Sequence, residues 1–317
     1  MLAVPALIAL LLITACQPAT PPPTATPPPS PTPMLIPPIP RGDGSDLLDR
    51  LLDKGIIRVG IRVWPEASFS PPAFRGFSNA AIGGALNGFE VDVAKAIALN
   101  LGLELELVEA YPPVIAGGEW RGEWDIAIAS LAPFDDPPPN TRPDMRYSRP
   151  YALMPAGLLV PQTSPVSGAA QLGGLAVGAF EHSVYQRMLT PGERLPTVGG
   201  QSLRGELARD ARLLVLSNIQ KSIRETEEGK FRADAWLGPA PVFEQAIREN
   251  NNLPLRLIRN DEALPPHPLV VAAVPQDGLA VDRLIDEIDT LLARLQRQGV
   301  LAELSLKWYG EDISPPE

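Results

Sequence analysis

Residues 56–63 (IIRVGIRV) alternate apolar and polar-tolerant positions between Gly55 and Pro65, which predicts a strand. In 88–101 (GFEVDVAKAIALNL), Phe89, Val93, Ile97 and Leu101 recur four apart, the period of one helical face, and Gly102 stops the helix. Residues 103–108 (LELELV) alternate strictly and predict a second strand; 124–129 (WDIAIA) predict a third. Strand, helix, strand, strand is the order of an α/β lobe. After a pause at 161–174 the same kinds of element return. Residues 175–180 predict a strand, 183–189 and 218–228 helices, and 233–237 a strand. Residues 241–250 predict a helix, 255–258 an extended segment, and 269–274 a strand returning toward the first lobe. In 282–298, Leu284, Ile285, Ile288, Leu291, Leu292 and Leu295 form one apolar stripe, so an amphipathic helix is expected. Gly299 ends it, and a short last helix runs to Trp308. No segment of 20–50 residues repeats, so the two lobes are alike in kind and not in sequence.

The ends change the picture. The first fifteen residues are almost entirely apolar and stop at Cys16. That run is too short for a bilayer, which takes roughly 20 apolar residues, and has the length of a signal-peptide core. Ile13, Thr14, Ala15 and Cys16 resemble the lipobox of bacterial lipoproteins, which implies a diacylglycerol on the Cys16 sulfur and cleavage just before it. The departure is that no Lys or Arg precedes the apolar run; the other reading of Cys16 is a thiol in a leader that is cut elsewhere. Cys16 is the only cysteine, which excludes an internal disulfide framework and multi-cysteine metal sites. Residues 17–40 are about half proline, a composition that favours extended polyproline II and buries no core. At 3.1 Å per residue such a spacer reaches roughly 70 Å; the alternative is a ligand for an aromatic-grooved module.

The formal net charge is −10, and no basic patch points to nucleic acid. No later segment is apolar enough to span a membrane. The sequence offers no nucleophile elbow, metal-ligand cluster or Gly-rich phosphate loop, so neither a metal nor a cofactor is expected.

Six segments in order carry a resemblance. They are GIIRVGI (55–61), NGFEVDVAKAIALNLGLELELV (87–108), WDIAIASL (124–131), RYSRPY (146–151), FRADAW (231–236) and GVLAELSLKWYGE (299–311). Together they resemble the family 3 extracellular solute-binding proteins, the polar amino-acid receptors of ABC importers. The resemblance implies an α/β, two-lobed, type II periplasmic-binding-protein-like fold with a central ligand cleft and two hinge crossovers, near 151–157 and 266–271. It divides the chain into a signal peptide (1–15), a lipidated, Pro-rich tether (16–45), lobe 1 (46–152 plus 272–317) and lobe 2 (153–271). It further implies a monomer held to the outer face of the cytoplasmic membrane by lipid alone. There it catches a small solute and hands it to ABC permease subunits, without catalysis; lobe closure is a ligand-driven shift between states.

Residue by residue, Arg142 matches the arginine that grips the ligand carboxylate, a task suited to a guanidinium fork. The stretch Leu131, Ala132, Pro133, Phe134 lacks the hydroxyls the family usually has there. Glu181, His182, Ser183 and Val184 stand at the Gly-Thr-Thr-like turn of the second lobe, where Ser183 either caps the helix or touches ligand, and His182 is either a ligand contact or a surface residue. Gly238 and Pro239 replace the aspartate that binds the ligand ammonium, about five residues after Asp234. Arg62 stands near a position that is often acidic. These changes move the cleft away from a zwitterion, toward a ligand that is anionic or lacks an amine. Trp64, Phe69, Phe74 and Tyr111 are rim aromatics, with Trp64 and Tyr111 the better ligand candidates. Two rival functions share the fold. One is a cyclohexadienyl or arogenate dehydratase-like enzyme, for which Glu181 and His182 are the acid–base candidates. The other is a sensor for a signalling partner.

Overall fold

The computed structural model describes residues 39–62, 80–82, 85–133, 144–192, 194–195, 203–204, 210–217, 221–223, 225, 228–230, 232–249 and 254–316. The leader, Cys16 and the tether up to residue 38 lie outside these, as do Trp64, Phe69, Phe74 and Arg142. The described chain begins with a helix, α1 (Leu47–Lys54), for which the sequence reading assigned no element. Asp46 caps it by accepting the Leu48 N–H, Leu47, Leu48 and Leu51 are buried, and Gly55 closes it at φ 74.

The first sheet is built on β1 (Ile56–Ile61), two residues shorter than the alternation suggested. A hairpin, β2 (Ala80–Ile82) and β3 (Ala85–Asn87), precedes α2 (Phe89–Leu101), β4 (Glu104–Glu109), α3 (Pro112–Gly117) and β5 (Ile126–Leu131). Helix α2 ends at Gly102, as its pattern predicted. β1 runs parallel to both β4 and β5, and then β15 (His267–Ala273) joins β5 antiparallel. Two short strands, β6 (Arg146–Tyr147) and β7 (Ala152–Met154), pair with β15.

The second sheet has the order β12-β9-β13-β8-β14. Its strands are β8 (Ala156–Pro161), β9 (Ala176–Phe180), β12 (Arg212–Leu216), β13 (Ala235–Pro239) and β14 (Leu255–Ile258); β10 (Arg194–Leu195) and β11 (Leu203–Arg204) form a separate ribbon. β9 runs parallel to β12 and β13, while β8 is antiparallel to β13. Each sheet therefore has a central strand between two parallel neighbours, followed by an antiparallel strand. Even the close packing recurs. A Cβ on Gly60 of β1 would lie 2.7 Å from the Trp124 ring, and one on Gly178 of β9 would lie 2.8 Å from Trp236. In both lobes a tryptophan beside the third parallel strand lies against a glycine of the central strand.

The two sheets make a two-lobed α/β fold with two crossovers. β7 pairs with the start of β15 in the first sheet, and one residue later, beyond Pro155, the chain enters β8 of the second. The return passes from β14 into β15. β13 lies two residues later than the pattern placed it, because Asp234 is a loop anchor: its carboxylate accepts the Ala176 N–H (2.8 Å) and its own N–H donates to Ala176 O (2.8 Å). The pause at 161–174 holds one 3-10 turn, Ala169–Gln171.

Helix α4 (Val184–Met188) follows β9, and α5 (Ala240–Glu249) follows β13. Helix α6 (Asp282–Arg297) buries all six residues of its predicted stripe. Helix α7 (Val300–Tyr309) is tied to α2, where Lys307 Nζ (2.5 Å) and Trp308 Nε1 (2.9 Å) both donate to Asp92.

Candidate functional site

The C-terminal ends of parallel strands are where α/β sheets place their ligands. Here those ends come together from both sheets around one cavity. Arg62 follows β1, Ser130 lies near the end of β5, His182 and Ser183 follow β9, and Pro239 ends β13; all line it. Met154, His267 and Leu269 come from the crossover strands β7 and β15, and Tyr309 from α7. The cavity measures about 30 Å³, enough for about one water molecule.

Each lining residue is positioned by a local reason. Glu90, buried in the first turn of α2, accepts the Tyr151 hydroxyl (2.6 Å) and the Ser130 hydroxyl (2.9 Å), together with the Ser130 backbone N–H. Those bonds hold Ser130 at φ 52, a conformation that costs a non-glycine residue and persists only when its surroundings impose it. Burial, and then the Glu90 carboxylate, push the Tyr151 and Tyr309 phenols well above 10, so both remain protonated donors. Phe89 packs against both rings, at 6.0 and 5.2 Å between centroids.

Arg62 is buried, and its Nη2 lies 3.4 Å from the backbone oxygen of Glu181, so it reaches from the end of β1 to the turn after β9. The exposed Tyr111, just before α3, meets the His182 ring edge-on at 6.2 Å. Both contacts tie one lobe to the other across the cleft. His182 adopts φ 54, a backbone conformation for which glycine is usual. Ser183 caps α4, accepting the Gln186 N–H (3.2 Å) and donating its own proton to Phe180 O (2.6 Å).

A profile of the bacterial extracellular solute-binding proteins, family 3, matches residues 61–311. The chain belongs to this family. A probable amino-acid ABC transporter-binding protein of Haemophilus influenzae is 23% identical over 277 residues, 85% of this chain and 91% of that protein. The L-cystine-binding protein TcyJ of Escherichia coli K12 is 22% identical, over 84% of this chain and 88% of its own length. Among solved structures, an ancestral arginine-binding protein bound to arginine has the same fold with a TM-score of 0.61 at 21% identity, covering 81% of this chain and 99% of its own. Family members bind small solutes outside the cytoplasm and work with ABC permease subunits. No described helix is long and apolar enough to cross a membrane.

Arg62, His182, Ser183 and Pro239 share the cavity. Tyr111 meets the lining residue His182 edge-on, and Glu181 meets Arg62 through its backbone oxygen. Arg142 and Trp64 fall outside the described residues. Among the described lining residues there is no Asp or Glu. Pro239 sits on the wall, and Gly238 has no room for a side chain, since a Cβ there would meet the Phe243 ring at 2.6 Å. The sequence reading missed Tyr185, His267 and Tyr309. Tyr185 and Tyr309 sit within helical patterns as ordinary apolar positions, and His267 lies in a crossover with no periodic signal. One signal was available: the chain has only two histidines, His182 and His267, and both line this cavity.

Proposed function

We propose that this chain is the solute-capturing lipoprotein of an ABC importer, anchored through Cys16 and taking a small carboxylate-bearing solute that lacks the usual amine contact. The observation that carries this reading is the charge of the cavity wall. It holds the buried Arg62 guanidinium, has Pro239 where an ammonium-binding aspartate is usual, and has no carboxylate among its described lining residues. A buried cation is stabilised by an anionic partner, and a ligand carboxylate can take two parallel bonds from a guanidinium. An ammonium group entering the same space meets no opposite charge on the described wall, and desolvation makes that costly. Arg142 and Ser183 are proposed as further contacts to the acid group, with Trp64 and Tyr111 at the rim.

A thermal-shift screen of amino acids, organic acids and small anions tests the cargo. A true ligand raises the melting temperature by mass action. The expected hits are acids without an α-amine; tight binding of lysine or arginine overturns the reading. The anchor is tested by Cys16→Ser, which moves the protein from the membrane fraction to the soluble fraction if Cys16 is lipidated. Reversible binding with no product formed from prephenate- or arogenate-like acids separates the receptor from the dehydratase-like alternative.

A further inference from the structure

Two residues that line the cavity each carry a buried polar atom with no hydrogen-bond partner among the described residues: the Tyr185 hydroxyl and His267 Nδ1. Both side chains are almost wholly enclosed, at 4% and 3% exposure. Their rings meet edge-on at 5.2 Å, so they form one feature of the wall. Buried polar groups in folded proteins are nearly always satisfied, so one without a protein partner calls for an explanation, such as an ordered water or a bound ligand. The two residues come from different elements, Tyr185 from the first turn of α4 and His267 from the start of crossover strand β15.

We propose that Tyr185 and His267 form a neutral hydrogen-bonding pair that recognises an uncharged polar group, a hydroxyl or an amide, on the bound solute. The inference rests on the reading of this cavity as the ligand site. A phenol both donates and accepts, and a neutral imidazole offers one donor and one acceptor. Burial alone pushes the His267 pKa from 6.5 down to about 3, which keeps the ring uncharged at neutral pH. The burial of Tyr185 likewise pushes its phenol well above 10. The pair therefore brings direction without charge, whereas Arg62 brings charge on the same wall. A solute matching both has an acid group at one end and a neutral polar group at the other. A site built to bond such a group discriminates strongly against an analogue that lacks it, because its own buried atoms are then left unpaired.

The test uses four probes that share a carboxylate and differ at the far end: succinamate (amide), gamma-hydroxybutanoate (hydroxyl), pentanoate (methyl) and gamma-aminobutanoate (ammonium). Their affinities for the full chain are measured by titration calorimetry, beside Tyr185→Phe and His267→Gln. The expected result is that the amide or hydroxyl probe binds about 10–100-fold tighter than pentanoate and gamma-aminobutanoate. That preference collapses in Tyr185→Phe. If the acids bind but the preference is absent, or survives both substitutions, the pair is not a recognition element and only this inference fails. If no carboxylate probe binds the unaltered chain, the reading of the cavity fails and takes the inference with it. Nitrogen-15 NMR of the unaltered chain supplies a readout that needs no variant to fold: the preferred probe shifts the His267 ring nitrogens and pentanoate does not. Equal shifts with both probes overturn the proposal.

Discussion

His267 makes stability depend on pH in a direction and amount that follow from its burial. The side chain is 3% exposed, and no described Asp or Glu lines the cavity it faces. The other titratable groups among its described lining residues are Arg62, His182, Tyr185 and Tyr309, none of which offers a negative charge to an imidazolium at neutral pH. Its folded pKa is lowered from 6.5 to about 3. Between those values the unfolded chain takes up a proton that the native chain refuses, so stability falls as pH falls through 6.5 and continues to fall toward 3. Each pH unit in that window is worth about 1.4 kcal/mol. From pH 7.5 to 5.0 the integrated loss is about 2 kcal/mol, or roughly 4–8 °C in melting temperature for a chain of this size. The assay is urea unfolding at the two pH values for the unaltered chain and for His267→Phe, which keeps a ring and removes the titration. Acidic groups that titrate in both chains cancel in the difference. The unaltered chain is expected to lose about 2 kcal/mol more than the variant over this interval. Equal losses would show that His267 is protonated in the native state, and the account of an uncharged His267 would be wrong.

Three further outcomes test other parts of the site. Arg62→Met removes the one cation among the described lining residues and is expected to weaken binding of an acid solute about 10–100-fold, measured by calorimetry; unchanged affinity would place the acid group elsewhere. Pro239→Asp puts a carboxylate on the wall at a strand position whose backbone has no N–H to lose, and is expected to raise the affinity for an amine-bearing amino acid at least about 10-fold. No gain would mean that the residue at 239 does not select against the amine. Glu90→Leu leaves the Tyr151 hydroxyl and both Ser130 donors without their acceptor, and is expected to cost about 3 kcal/mol, seen as a melting temperature lower by roughly 6–12 °C. A change under 2 °C would show that the network is replaced by other partners.

Much of the architecture was legible in the chain because it is written locally. The alternation of LELELV and the four-residue spacing of Phe89, Val93, Ile97 and Leu101 are properties of neighbours, and each appears in the structure within a residue or two as β4 and α2. The stripe of α6 was legible for the same reason. β8 was not: five of its six residues are buried, so no period distinguishes its faces and nothing local marks it as a strand. α1 was legible and went unread, with its Asp46 cap, leucines at Leu47, Leu48 and Leu51, and closing Gly55 all in plain sequence. The matching order of the two sheets could not be read at all, because the lobes share a pairing scheme and not a repeated sequence.

By itself, then, the sequence determined the family and the kinds of element. Only the tertiary structure decided which side chains face one another. Tyr185 and His267 lie 82 positions apart, the lower end of that span on α4 and the upper on the crossover strand. Nothing in either neighbourhood marks them as partners. What joins them is the return of the chain from the second sheet to the first, which carries His267 past the helix that follows β9. Burial then removes water from both atoms, and an unpaired hydrogen-bonding group becomes a feature only once water is gone.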